Sequence, residues 1–252
     1  MAHIDVCGLR MQYGDTLVQQ DVHFSVEPGC IFAIMGGSGC GKSTLLRHMV
    51  GLASPHAGDV RIDGRGYWTD MTEAERRDTR KRYGMLFQSG ALWSTLTVGG
   101  NLHVPLDLRW PDRPLAEREA RVREVLQWVG LEGHADAAVG GLSGGQVKRA
   151  GLARAIVAEP EVIFLDEPSA GLDPITSLRM DELILQLRDR TGAAVVLVSH
   201  ERDSLFKIAD DGIFLDAEQK RPAAHGRPAD LQDDPSQPQL VRDFLQRKDS
   251  RP

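Results

Sequence analysis

The sequence predicts an α/β fold: a parallel-sheet core, a small antiparallel β-subdomain and an inserted helical subdomain. Three observations carry that prediction. The runs Val162–Leu165, Ala194–Ser199 and Gly212–Leu215 are short, apolar and separated by helical stretches, as strands buried on both faces are. A fourth apolar run, Cys30 to Met35, leads into a glycine-rich stretch and then into Leu45, Leu46, Met49 and Leu52 at helical spacing. From about residue 96 to 140 the character changes. Pro105, Pro111 and Pro114 break the first half, and Leu115, Val122, Val125, Leu126 and Val129 then mark one apolar helix face opposite Arg118, Glu119, Arg121, Arg123 and Glu124.

From the N-terminus, residues 3–10 and 22–27 alternate as strands do. Asp59–Asp63 makes another strand, closed by the turn pair Asp63-Gly64. With the run 30–35 these form the small, partly antiparallel sheet. Residues 73–82 are dense in charge and read as a solvated helix, and Tyr83 to Phe87 as a short buried strand. After Asp216 the chain turns polar, with Pro222, Pro228, Pro235 and Pro238, before a last short helix with Leu240, Val241, Phe244 and Leu245 as an apolar patch. The 252 residues suit one large domain, 3–216, with a helical subdomain at about 96–140 and a C-terminal extension at 217–252.

Composition narrows the function. A net charge of −6 with no long basic block argues against a broad nucleic-acid footprint. The longest clean apolar run, Ala193–Val198, is far too short to cross a bilayer, and Met1 to Val6 lacks a signal-peptide pattern. Cys7, Cys30 and Cys40 have no CxxC spacing, which suggests reduced thiols in a cytoplasm.

The chemistry starts at Gly36-Gly37-Ser38-Gly39-Cys40-Gly41-Lys42-Ser43-Thr44. The strand before it and the helix after it are the context that a phosphate-binding loop needs, so the fold is that of a P-loop NTPase. Glycines let the backbone turn its N–H groups onto an anion, and the helix N-terminus favours negative charge. Lys42 is expected to reach the β and γ phosphates of ATP, and the Ser43 hydroxyl to hold Mg²⁺. Cys40 lies within the loop, so a bulky thiol reagent there is expected to block ATP, with ATP protecting. Val162 to Leu165 ends in Asp166-Glu167. Asp166 is assigned to the Mg²⁺ shell and Glu167 to polarising the attacking water as general base. Leu142-Ser143-Gly144-Gly145-Gln146 precedes a second helix, another donor-rich N-terminus that suits phosphate.

Leu142–Gln146 followed by Val162-Ile163-Phe164-Leu165-Asp166-Glu167-Pro168 resembles the ATPase subunit of ABC transporters. Tyr13 resembles the family's adenine-stacking aromatic, Gln88 its coupling glutamine, Ser169-Ala170-Gly171-Leu172-Asp173 its D-loop and His200 its switch histidine. The resemblance covers roughly residues 3–216 and implies the ABC ATPase architecture. It implies ATP and Mg²⁺ as cofactors, with Ser43, Gln88 and Asp166 at the metal and Glu167, His200, Lys42 and Gln88 in catalysis. It also implies a head-to-tail homodimer in which Ser143, Gly144 and Gly145 of one copy, followed by Gln146, face the γ-phosphate on the other copy's Lys42.

Gln88-Ser89-Gly90-Ala91-Leu92-Trp93, the stretch Asp166 to Ser177 and the tail from Pro228 to Leu245 are similar to the Mla/Mce-type phospholipid transport ATPases. Trp93 and Gln146 depart from that pattern, where phenylalanine and methionine are common. The likeness implies an ATPase on the cytoplasmic face of an inner membrane, powering phospholipid transfer between inner and outer membranes. Its partners would be a separate permease docked near Gln88–Trp93, a Mce-type component and a second copy contacted by the tail. The alternatives are an importer or exporter ATPase for another substrate, such as a small polar solute, and a soluble ABC-type ATPase acting on nucleic acid or ribosomes. A nucleotide kinase would leave Ser143–Gln146 and His200 without a role.

Overall fold

The computed structural model describes residues 3–246. In chain order its elements are β1 (Ile4–Tyr13), β2 (Thr16–Val26), β3 (Ile31–Gly36), α1 (Lys42–Met49), β4 (Ala57–Ile62), β5 (Arg65–Gly66), α2 (Glu73–Arg80), β6 (Tyr83–Leu86), α3 (Val98–Arg109), α4 (Leu115–Trp128), α5 (Gly144–Ile156), β7 (Val162–Asp166), α6 (Pro174–Thr191), β8 (Ala194–Val198), α7 (Arg202–Ile208), β9 (Asp211–Leu215), β10 (Pro222–His225), α8 (Pro228–Asp233) and α9 (Gln239–Gln246).

Two sheets organise them. The smaller has the order β2-β1-β4-β5 and is antiparallel. The larger has the order β10-β9-β3-β8-β7-β6, parallel except for β10. The run 30–35 therefore joins the parallel sheet between β8 and β9, not the small antiparallel one that its neighbours in sequence predict. All six residues of β3 are buried, which only a strand covered on both faces allows. Its pleat divides the core. Phe32 and Ile34 pack with α1 and the small sheet, while Ile31, Ala33 and Met35 pack with residues of α3, α4 and α5.

Within residues 96–140 three features differ from the reading of the sequence. Pro105 lies inside α3 instead of breaking it, because Leu102 and Leu106 on either side are fully buried and hold both halves in the core. Leu115, placed on the apolar face, is the first residue of α4 and stays 57% exposed. Arg121, placed on the polar face, is buried; its Nε donates to the carbonyl of Val157 at the C-terminus of α5 (3.0 Å), and its Nη1 to Glu124 (2.8 Å).

Beyond Asp216 the chain keeps packing on the domain. β10 adds to the sheet edge beside β9, and Leu231 of α8 with Val241 and Leu245 of α9 enter the main core. Arg202 Nη1 donates to the Leu245 carbonyl (3.1 Å), so α9 docks on its own chain.

Candidate functional site

β3 delivers the chain to the glycine loop from the middle of the parallel sheet. Gly36 closes the strand with φ 138°, and a Cβ there would lie 2.6 Å from the Leu215 carbonyl and 2.7 Å from Cys40 Sγ, so the loop turns only on glycine. Gly41 caps α1 in left-handed backbone (φ 103°). It has no side chain to fold over the helix amides, and the first turn of α1 holds no acidic residue. That leaves an N-terminus open to an anion. Lys42 Nζ donates to the carbonyls of Gly36 and Gly37, each at 2.9 Å, which holds the ammonium over the loop. Buried Gln19 braces the loop from behind, its Nε2 donating to the carbonyls of Cys40 (2.8 Å) and Asp216 (2.7 Å).

β7 brings the two carboxylates to the same place. Ser43 Oγ donates to Asp166 Oδ1 (3.1 Å). Burial pushes the Asp166 carboxyl up from its usual range, opposed by the Ser43 hydrogen bond and the charges of Arg47, Lys42 and Lys148. Glu167 is 8% exposed and takes left-handed backbone, φ 51°, at a cost of about 1–3 kcal/mol for a residue with a Cβ. Its Oε1 meets His200 Nδ1 at 2.8 Å, and its buried Oε2 has no hydrogen-bond partner. The carboxylate thus has one oxygen held by His200 and one without a partner among the described residues.

Gly36, Gly37, Ser38, Gly39, Gly41, Lys42, Ser43, Thr44, Gln88, Glu167 and His200 line one cleft of about 690 Å³, within the range of small-ligand sites. Asp166 reaches it through Ser43. The hydroxyl of Ser43, the amide of Gln88 and the carboxylate of Asp166 form a hard oxygen set. Hard oxygen donors of this kind suit Mg²⁺, which keeps waters and phosphate oxygens.

Ser143, Gly144, Gly145 and Gln146 lie elsewhere. Ser143 caps α5 in a capping box: its Oγ accepts from Gln146 N (3.3 Å) and its own N–H donates to Gln146 Oε1 (2.8 Å). These residues line a second cleft with Gly171, Leu172, Asp173 and Thr176, separate from the phosphate loop. Tyr13, at the end of β1, is 52% exposed and outside the lining of the first cleft, where Val18 of β2 takes part. Ala91 and Trp93 of the Gln88–Trp93 stretch line a groove of about 610 Å³ with exposed Phe87 and Leu108 and with Arg77, Lys81, Arg109 and Arg154 around it. Buried Asn101 fixes the bend, accepting from Trp93 N (2.8 Å) and donating to the Trp93 carbonyl (3.1 Å).

The burial of Cys40 runs against the labelling expected there. It is 1% exposed, and burial raises its thiol pKa, so little thiolate is available to a reagent. Three residues escape the sequence reading: Val18, Gln19 and Lys148, whose Nζ donates to the Glu167 carbonyl (2.8 Å); Phe244, read from the sequence as part of the tail's apolar patch, lines the first cleft from α9.

Residues 19–170 match the family model for the ABC transporter. The chain is 39% identical over 213 residues to the methionine import ATP-binding protein MetN of Brucella abortus, covering 84% of this chain and 57% of that one. It is 42% identical over 196 residues to the MetN of Caulobacter vibrioides, with 78% and 58% covered. The chain thus spans little more than half the length of these curated relatives. Among solved structures it resembles cbiO1 of Clostridium perfringens, part of the ABC transporter complex cbiONQ, with TM-score 0.81, 28% identity, and 90% and 89% of the two chains covered. It also resembles a dimeric ATP-binding cassette in a post-hydrolysis state with ADP and Pi, with TM-score 0.80, 28% identity, and 89% and 98% covered.

Proposed function

The chain belongs to the ABC transporter family, and we propose that it is the subunit that binds and hydrolyses ATP to drive a separate membrane permease. The single observation behind this is the split of its phosphate-binding elements. The glycine loop, Glu167 and His200 share one cleft, while Ser143–Gly145 line another. One chain thus offers half of each site, and two copies arranged head to tail would complete both; one of its structural relatives is dimeric.

In this reading the loop amides and Lys42 bind the β and γ phosphates, exchanging Lys42's bonds to Gly36 and Gly37 for phosphate oxygens. Ser43, Gln88 and Asp166 would hold Mg²⁺, which when bound neutralises charge on the phosphates. Glu167 takes the proton of the attacking water and His200 keeps its carboxylate aimed. Tyr13 stacks on adenine. The second copy's Ser143, Gly144 and Gly145 donate to the γ-phosphate, with Gln146 bracing Ser143. ATP then favours the closed dimer only through its extra affinity for that state. Among the described residues no helix is long and apolar enough to cross a membrane; the proposed position is peripheral, on the cytoplasmic face of an inner membrane. The groove beside Gln88–Trp93 would receive the permease.

For the cargo, the relatives named for methionine import favour uptake of a small polar solute over phospholipid transfer. The expected Mce-type component has no support beyond the phospholipid reading. That second reading keeps one favouring observation, the Gln88-Ser89-Gly90-Ala91-Leu92-Trp93 run. The test is purification with its permease from membranes, reconstitution in vesicles, and ATPase assay with amino acids or with phospholipid as cargo. Stimulation by an amino acid and its solute-binding partner supports import; stimulation by lipid alone reverses the choice. Turnover by a monomer lacking Ser143 would refute the shared site.

A further inference from the structure

The left-handed backbone of Glu167 has a specific support. Its carbonyl oxygen accepts from Lys148 Nζ at 2.8 Å and from Ala170 N at 3.3 Å, while its own N–H donates to the Val198 carbonyl at 2.9 Å. Lys148 comes from α5, little more than one turn beyond Ser143, and reaches across to the end of β7. It is 7% exposed, and few lysines are buried so far. Burial lowers its pKa, and the carboxylates of Glu167, Asp166 and Glu201 oppose that shift. α5 does not need the ammonium as an anchor, because Leu152, Ala153 and Ile156 already bury its apolar side. What the ammonium does hold is one peptide carbonyl, that of the residue whose side chain meets His200.

We propose that Lys148 is a positioning residue for Glu167. A residue with a Cβ is strained in left-handed backbone, and because the ring of Pro168 fixes φ on the far side of the Glu167 carbonyl, that peptide cannot flip by itself and relaxation turns the whole residue. That rotation would swing the Glu167 carbonyl off Lys148 and the carboxylate off His200 together. The clamp from α5 fixes the carbonyl and so fixes where the free oxygen, Oε2, points. The inference rests on Glu167 being the general base.

The test compares Lys148→Met, Lys148→Arg and Glu167→Gln in the full chain, measuring steady-state ATP hydrolysis, affinity for a fluorescent ATP analogue and the melting curve. Lys148→Met keeps the apolar stem and removes the donor; it should lower kcat by about tenfold or more with KM and analogue affinity within about twofold, the pattern of an interaction that matters in the transition state. Lys148→Arg should recover kcat to within about threefold of the parent, because a cationic donor returns. If Lys148→Met does not fold, Lys148→Gln is read by the same criteria, its amide being one bond too short for the carbonyl. A Lys148→Met or Lys148→Gln enzyme with parental kcat overturns the proposal, as does a loss carried by KM, or a folded Lys148→Arg as slow as Lys148→Met. Abolished hydrolysis in Glu167→Gln beside an unaffected Lys148→Met overturns the clamp alone; retained hydrolysis in Glu167→Gln overturns the base assignment and the clamp with it.

Discussion

Replacing Ser143 by alanine separates the structural use of its hydroxyl from its proposed use across a dimer. The chain supplies its own control. Two helices start with a capping box, α5 at Ser143/Gln146 and α2 at Thr72/Glu75, and in both the cap hydroxyl accepts from the third amide at 3.3 Å; the Thr72 hydroxyl also donates to Glu75 Oε2 (2.8 Å). The bond from the third amide is long and both sites are solvated, so each alanine substitution should cost about 0.5–1 kcal/mol, the lower part of the range for caps. For a domain of this size that is a fall in Tm of roughly 1–4 °C, with the loss in Thr72→Ala, which also gives up the bond to Glu75, at least as large as in Ser143→Ala. Hydrolysis should separate them. A serine hydroxyl lost from a charged phosphate removes about 1.5–3 kcal/mol, or about 10- to 100-fold in turnover. Thr72 lies on α2, away from both clefts. The assay is phosphate release at saturating ATP beside differential scanning calorimetry. Equal turnover in Ser143→Ala and Thr72→Ala would refute the shared site, because the hydroxyl would then be a cap and nothing more.

Glu167→Gln should abolish hydrolysis, keep ATP binding and accumulate a dimer on size-exclusion chromatography with saturating ATP; a monomer under those conditions counts against the head-to-tail arrangement. Lys42→Ala should weaken nucleotide affinity by about tenfold or more in a fluorescent-ATP titration, since a cation at the phosphates is lost; unchanged affinity would mean that the loop binds something else. Cys40 should resist a bulky thiol reagent until the chain unfolds, because it is 1% exposed with a raised thiol pKa. Peptide mapping of labelled protein checks this, and fast labelling suppressed by ATP would restore the expectation drawn from the sequence. Asp181 is 2% exposed on α6, where Ser204 Oγ donates to its Oδ2 (3.0 Å) while Oδ1 has no partner, and burial pushes its pKa from 3.8 up to about 6. The folded state then holds the extra proton between those values, so stability falls as pH rises through the window, and above about pH 6 the buried charge costs on the order of 2–3 kcal/mol. Asp181→Asn should raise Tm by several degrees at pH 7.5, with the gain shrinking towards pH 4; a gain independent of pH would show that charge is not its cause.

The amino-acid sequence by itself determined the chemistry that depends on neighbours along the chain. Glycines 36 to 41 between an apolar run and a helical one, and Asp166-Glu167 at the end of another, are legible because a phosphate loop and a strand-end carboxylate pair are built within a dozen residues. The central strands and the helical insertion are legible for the same reason, through burial periodicity. Only the tertiary structure decided what depends on contacts between distant segments. It moved the run 30–35 into the parallel sheet, where both faces are covered. It buried Arg121 against the end of α5 and hid the Cys40 thiol under its own loop. It put Gln19 behind the glycines, Phe244 beside them and Lys148 on the carbonyl of Glu167. It also kept Ser143 in a different cleft from Lys42. Spacing along a chain records local geometry; which side chains meet across long separations is set by how the layers pack, and no local pattern encodes that.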